Sequence, residues 1–241
     1  MTGNEDQMDH HEHGAGAGHG AGQGTGHGTE HGDAQSIWEG RYRESAQIWS
    51  GRANATLVDV VGSLKPGRAL DLGCGEGGDS VWLAESGWRV TGMDISPTAL
   101  ERAAALAASR GVPAASITWV QQDLAAWQPG PDDAYDLVSA CFLHSPVDGF
   151  PREEVLRRAA DAVAPGGALL VVGHAGPPPW MDPSAACDHR FLSPEEELDG
   201  LGLPREGWQV LIGELRTREA TGPDGRHGEL TDTVVLARRE G

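Results

Sequence analysis

Short apolar runs alternate with stretches of helical spacing along most of this chain. Ala69–Leu72, Trp88–Asp94, Ile117–Leu124, Tyr135–Cys141 and Ala168–Val172 read as strands. Between them lie Ser80–Ser86, Thr98–Ser109 and Pro151–Val163, whose apolar residues recur at helical intervals. Local punctuation supports these boundaries. Gly87 and Gly111 suit helix ends, and Ser96-Pro97 supplies an N-cap and a first-turn proline. Pro165-Gly166-Gly167 separates the helix from the strand that follows it. Ala168–Val172 is apolar throughout, as a strand covered on both faces must be. Strand–helix alternation of this kind predicts a parallel, doubly wound α/β sheet. Trp208–Thr217 and Thr231–Ala237 read as two closing strands joined through the turn-forming Thr-Gly-Pro-Asp-Gly of 221–225.

The front of the chain follows different rules. Residues 1–34 are mainly Gly, His, Ala and acidic residues, with too little to bury to offset the entropy of ordering, and are expected to be disordered. Six of the ten histidines lie there (His10, His11, His13, His19, His27 and His31), without the fixed spacing of a metal site. Order is expected from Gln35, with Ile37, Trp38 and Tyr42 on one helical face and a second helix over Ala55–Leu64 ended by Lys65-Pro66-Gly67. The chain thus divides into a tail, 1–34, and one domain, 35–241.

Composition narrows the function. A 39% hydrophobic share suffices for a buried sheet, and no apolar run approaches the ~20 residues of a membrane span. The first residues lack the apolar core of a secretory signal. Cys74, Cys141 and Cys187 are odd in number and unpaired in spacing, which fits a reduced, cytoplasmic setting. The formal charge of −18, from 36 acids against 18 Lys and Arg, opposes a nucleic-acid partner, because such binding neutralises phosphates. No metal site is expected.

The most informative chemistry is at residues 71–78. A strand delivers Asp71 into a turn carrying Gly73, Gly75, Gly77 and Gly78, and a helix follows. Such a turn lets backbone approach a ligand at a helix N-terminus. Gly73-x-Gly75-x-x-Gly78, with Asp94 some distance on, also satisfies the dinucleotide fingerprint. A pyrophosphate there would face Asp71, and two like charges ~4 Å apart cost on the order of 4 kcal/mol at an effective dielectric of ~20. S-adenosylmethionine carries an ammonium and a sulfonium and no phosphate, so for it the sign reverses.

Asp71-Leu-Gly-Cys-Gly-Glu-Gly77 resembles motif I of the class I S-adenosylmethionine-dependent methyltransferases. Trp88-Arg-Val-Thr-Gly-Met-Asp94, Ile117-Thr-Trp-Val-Gln-Gln-Asp123-Leu124, Tyr135-Asp-Leu-Val-Ser-Ala-Cys141 and Ala164-Pro-Gly-Gly-Ala-Leu-Leu-Val-Val-Gly173 resemble its later strands, in order. The resemblance covers roughly 36–240. It implies a Rossmann-like sheet of seven strands, mostly parallel with a reversed C-terminal strand, and helices on both faces. It implies S-adenosylmethionine as methyl donor, with Gly73, Cys74 and Gly75 beside the methionine part and Asp71 near the cation. Asp94 would accept from the ribose hydroxyls while Ile95 packs on the adenine. Asp123 would accept from the exocyclic amine and the Leu124 N–H would reach a ring nitrogen. By the same resemblance Tyr42 and Arg52, in and after a Trp-x-x-Arg-Tyr lead-in, are candidates for the methionine carboxylate. Two plainer roles stand beside these: Asp94 capping the helix at Ser96, and Asp123 opening a turn.

The acceptor side is expected after the fourth and fifth strands. His144 is the candidate catalytic base there, and His174 the second candidate. A base is required only where the acceptor must lose a proton. The resemblance is to the small-molecule branch of the thiopurine and tellurite-resistance type, so the expected acceptor is a small molecule such as a thiol or a metalloid oxyanion. Trp180, Met181 and Phe191 would line a lid over it. The alternative is a non-catalytic sensor that binds S-adenosylmethionine, with metal on its His-rich tail.

Overall fold

A computed structural model describes residues 30–145, 147, 149–180, 190–222 and 225–241. Residues 1–29 of the expected tail, together with Met181 and Cys187, lie outside these described residues.

Seven strands form one sheet: β1 (Arg68–Leu72), β2 (Arg89–Asp94), β3 (Ile117–Gln121), β4 (Tyr135–Cys141), β5 (Val163–His174), β6 (Trp208–Thr221) and β7 (His227–Arg239). Their order is β3-β2-β1-β4-β5-β7-β6. The first five pair in parallel, while β7 runs antiparallel to both β5 and β6. One reversed C-terminal strand is therefore inserted beside β5, as expected. Strand order reverses between β1 and β4, which opens a crevice at their carboxyl ends.

Alternation along the strands builds a core on each face of the sheet. Leu70, Leu72, Val138, Leu169 and Val171 pack with Val155, Leu156 and Ala159 of α5 (Arg152–Asp161) and Leu201 of α6 (Pro194–Leu201). Ala69, Leu137, Leu170 and Val172 face the other way, onto Leu57 and Val61 of α2 (Ala55–Val61), Val81 of α3 (Gly78–Glu85) and Ala107 of α4 (Pro97–Ser109). Both faces are covered, which is why the central strands lack polar alternation. Among the described residues no helix is long and apolar enough to cross a membrane.

Several boundaries differ from the expected ones. The first helix, α1, spans Glu30–Glu44 and so begins inside the expected tail. Pro165-Gly166-Gly167 does not separate α5 from β5. The strand begins at Val163 and carries these residues as an irregularity, pairing Tyr135 with Val163 and then Leu137 with Ala168. Gly166 sits at φ 80°, and a Cβ on Gly167 would meet the Tyr135 carbonyl at 2.8 Å, so glycine is what lets the chain hug β4 here. The β6–β7 ladder extends to Thr221 and His227, beyond the expected strand ends, and the Gly222 N–H donates to the Arg226 carbonyl at 2.7 Å. Helix α6 had not been anticipated, yet it has a sequence signature. Ser193 accepts from the Glu196 N–H at 3.2 Å and Glu196 accepts from the Ser193 N–H at 2.9 Å, a capping box with Pro194 in the first turn.

Candidate functional site

The glycine turn between β1 and α3 is tied to the end of β2. The Cys74 N–H donates to the Met93 carbonyl and the Gly75 N–H to Asp94 Oδ2, both at 2.9 Å. Asp94 Oδ1 accepts from the Ser96 N–H at 2.9 Å, while Ser96 Oγ caps α4 through the Ala99 N–H. The cap of α4 is thus Ser96 and not Asp94, which instead ties that N-cap residue to the glycine turn. Asp94 is 7% exposed, and burial pushes its carboxyl up against the opposing N–H bonds. Gly75 has φ 53°, and a Cβ on it would lie 3.1 Å from the Tyr42 hydroxyl and 3.2 Å from Trp49 Nε1. The chain before α2 therefore crosses directly over the turn.

Asp71 is enclosed rather than open to a ligand. It is 2% exposed and accepts from Ser80 Oγ at 2.6 Å and Ser139 Oγ at 3.1 Å. Burial, with the charge of nearby Asp79, pushes its pKa up to about 7. Asp79 is raised too, although it accepts from the Asn54 N–H at 2.6 Å. Asp71 therefore presents no exposed oxygen to a ligand. The thiols of Cys74 and Cys141 are unbridged and pushed well up by burial, which makes them poor nucleophiles.

Residues 42–54 form a strap across the turn. Glu76, 6% exposed, accepts from the N–H groups of Ile48 and Trp49 and from Arg102 Nη1 at 2.8 Å. Arg102 Nη2 in turn donates to the Tyr42 and Ser45 carbonyls. Glu39 of α1 accepts from Ser96 Oγ at 2.6 Å and from Thr98 Oγ1 at 2.5 Å, clasping α1 to the start of α4. Tyr42 is 3% exposed, and its hydroxyl accepts from Trp49 Nε1 at 3.1 Å. Burial and the nearby carboxylates of Asp94 and Glu76 push the phenol up, so it stays protonated and able to donate. Arg52 is exposed, and what it brings to the turn is its backbone carbonyl, which a Cβ on Gly78 would meet at 2.6 Å. Trp49, Glu76 and Arg102 escaped the sequence reading, although Glu76 stands inside the glycine motif.

At the third strand end, Asp123 Oδ1 accepts from the Ala125 N–H at 2.9 Å and opens a turn, as its plainer role required. Leu124 is buried in the core, with its carbonyl held by Arg158 Nη2 at 3.0 Å. Ile95 is half-buried one residue beyond Asp94.

The fourth strand leads into the acceptor side. Phe142 has φ 53°, a left-handed backbone that a bulky residue rarely adopts. The next two side chains then serve different sites. A Cβ on Gly73 would lie 2.8 Å from Leu143 Cδ1, so Leu143 packs on the glycine turn. His144 lines a cavity of about 500 Å³ shared with His174, Arg152, Leu192, Glu197 and Thr233. Arg152 donates to the Leu143 carbonyl at 3.1 Å and pairs with Glu197 at 2.9 Å, which braces this loop against α5 and α6. The His144 and His174 rings lie nearly parallel, with centroids 6.0 Å apart. Trp180, expected in a lid, instead packs against Gly222 of the β6–β7 hairpin, and its carbonyl accepts from Arg226 Nη2 at 3.2 Å. A further cavity of about 390 Å³, between Lys65, Asp136 and Arg238, lies at the opposite edge of the sheet, away from these strand ends.

Glycine turn, strand-end acids and order-reversing sheet define an α/β protein whose candidate ligand site lies at the carboxyl ends of β1 and β2. Three enclosed carboxylates, Asp71, Asp79 and Asp94, are raised by burial beside this turn, and Tyr42, Trp49, Leu143 and the Arg52 carbonyl close in over its glycines. Residues 69–167 match the methyltransferase-domain family. Thiocyanate methyltransferase 1 of Brassica oleracea is 32% identical over 59% of this chain and 66% of its own length. The 2-heptyl-1-hydroxyquinolin-4(1H)-one methyltransferase of Mycobacteroides abscessus is 32% identical over 61% of this chain and 69% of its own length. The chain thus spans about two thirds of the length of these relatives. A solved structure from echinomycin biosynthesis, 22% identical, superimposes with a TM-score of 0.62 over 86% of this chain and 91% of that one. The chain belongs to the class I S-adenosylmethionine-dependent methyltransferases.

Proposed function

We propose that this protein transfers a methyl group from S-adenosylmethionine to a small-molecule acceptor held in the cavity beside His144. One observation carries this reading. Consecutive residues after β4 touch the cofactor turn and line the cavity, so the two ligands meet across Leu143 and His144. The bound cofactor supplies an activated methyl on sulfur, and holding a nucleophile in line with it is worth most of the barrier reduction. Asp94 would accept from the ribose hydroxyls with the lone pairs not used by Gly75 and Ser96, and Asp123 would meet the adenine. Tyr42 and Arg52, with Gly73, Cys74 and Gly75, would face the methionine part. His144 would contact the acceptor. The thiol or metalloid-oxyanion acceptor implied by the resemblance is supported by the relative named for thiocyanate, while the relative named for a hydroxyquinolinone keeps hydroxyl acceptors in view.

Release of S-adenosylhomocysteine in a screen of thiols, selenite, tellurite, phenols and N-hydroxy heterocycles tests the reading. Stoichiometric cofactor binding without turnover on any of them would instead mark a sensor. Asp94→Ala is expected to weaken calorimetric S-adenosylmethionine binding by at least tenfold, in line with ~1.5–3 kcal/mol for a charged hydrogen bond. Asp94→Asn, which keeps an acceptor for one N–H, separates lost ligand contact from a collapsed turn when thermal unfolding is read alongside.

A further inference from the structure

His174 closes β5, opposite Asp232 of β7 in the antiparallel register. Its Nδ1 lies 3.0 Å from Asp232 Oδ1, and Arg218 Nε of β6 donates to Asp232 Oδ2 at 2.6 Å. Asp232 has no exposed surface. Burial alone would raise its carboxyl, but the bonds from His174 and Arg218 bring it below the ordinary value, so it is an anion at neutral pH. An ionised carboxylate only accepts, so Nδ1 must carry the ring proton. In the neutral imidazole the other nitrogen, Nε2, is then an acceptor, on a side chain that lines the 500 Å³ cavity. Phe142, held at its left-handed φ, stacks on the His174 ring at 4.4 Å, and the Arg218 guanidinium covers the same phenyl ring at 5.6 Å. Tautomer and ring plane are both determined by neighbours, as a proton acceptor requires.

We propose, building on the function above, that His174 oriented by Asp232 is the general base of the reaction, and that the acceptor is therefore a protic nucleophile such as a phenolic or N-hydroxyl compound, not a preformed anion. As the acceptor oxygen bonds to the methyl carbon, the carbon–sulfur bond breaks and its electron pair stays on sulfur. The hydroxyl proton passes to His174 Nε2, so the positive charge lost at the sulfonium reappears as an imidazolium facing Asp232, and water later removes the proton. The charged and titratable groups around the ring are Asp232 of β7, Arg218 of β6, His144 after β4, and the Arg152–Glu197 pair across the cavity. Arg157, Arg190 and Glu153 lie farther round its wall.

Two measurements test this. In the ¹⁵N-histidine-labelled full chain, the neutral His174 should appear as the Nδ1–H tautomer, with its Nδ1 proton protected from exchange and that protection lost in Asp232→Asn. A neutral Nε2–H tautomer would overturn the proposal whether or not an acceptor is known. In turnover, His174→Gln should lower kcat on phenols and N-hydroxy heterocycles by about 10²–10⁴-fold. It should abolish the ascending limb of the pH profile and leave calorimetric S-adenosylmethionine affinity within about twofold. Thiocyanate, which has nothing to deprotonate, should lose at least tenfold less. Equal losses on both acceptor types, or full activity of His174→Gln on a phenol, sink the base assignment. Absence of cofactor binding by the unmodified chain would sink the methyltransferase reading instead, leaving the tautomer result to stand alone.

Discussion

Asp71 illustrates how far a single residue can be read before its surroundings are known. Its place before the glycine turn argues for a cationic ligand, on the premise that it is ionised. Burial, with Asp79 nearby, outweighs the hydrogen bonds from Ser80 and Ser139 and pushes its pKa from an ordinary 3.8 up to about 7, so the premise holds fully only above neutrality. The folded chain binds this proton more tightly than the unfolded one. Its contribution to stability is therefore whole below about pH 3.8 and is lost as the pH rises through about 7. A sulfonium bound above it, as proposed, would draw the proton off. S-adenosylmethionine affinity is accordingly expected to rise by up to about tenfold per pH unit below 7 and to level off above it. Calorimetry in buffers of different ionisation heat should detect the released proton, and Asp71→Asn should remove both effects. A pH-independent affinity in the unmodified chain would contradict this assignment. Asp232 lies at the other extreme: nothing around position 232 in the sequence marks it, because its partners His174 and Arg218 reach it only through the sheet register.

At the scale of elements, the strap of residues 42–54 depends on few anchors. Glu76 takes the N–H groups of Ile48 and Trp49 and neutralises Arg102, and Arg102 holds the carbonyls of Tyr42 and Ser45. Glu76→Ala leaves those donors without their acceptor and is expected to cost about 1–3 kcal/mol of stability. It should also raise protease cleavage within 43–54 and weaken the cofactor, with Trp49 fluorescence reporting the loosening. An unchanged cleavage rate would show that the strap is held elsewhere. The strands offer a simpler case. Leu170 is fully buried between the central strands and the helices on one face, so Leu170→Ala is expected to lose about 2–5 kcal/mol in denaturant unfolding. Strands of this kind are legible because every residue in them obeys one rule, burial on both faces. The ends are less so: β5 runs through Pro165-Gly166-Gly167, since what decides there is the close approach of the Tyr135 carbonyl and not local propensity. Helix α6 is marked in the sequence by its Ser193–Glu196 capping box and first-turn Pro194, signals of start but not of where the helix packs.

For the whole molecule, the reversed insertion of β7 between β5 and β6 completes the sheet and also delivers Asp232 to His174, which lines the cavity. Every strap and clasp contact described above begins at Glu39 or later. Deleting residues 1–29 is therefore expected to leave Tm and S-adenosylmethionine affinity unchanged, and a fall in either would assign that segment a part in the site. The order of strands and helices, the glycine turn and the acids Asp71, Asp94 and Asp123 at successive strand ends were determined by the sequence alone. Periodicity and turn chemistry act between near neighbours, and a cofactor cradle built at strand ends inherits that locality. Only the tertiary structure decided which acids are enclosed, which residues cross the turn, and that His174 meets Asp232 and Arg218 while His144 lies beside it. Those relations join residues dozens of positions apart through burial and strand register, quantities that no local stretch of sequence encodes.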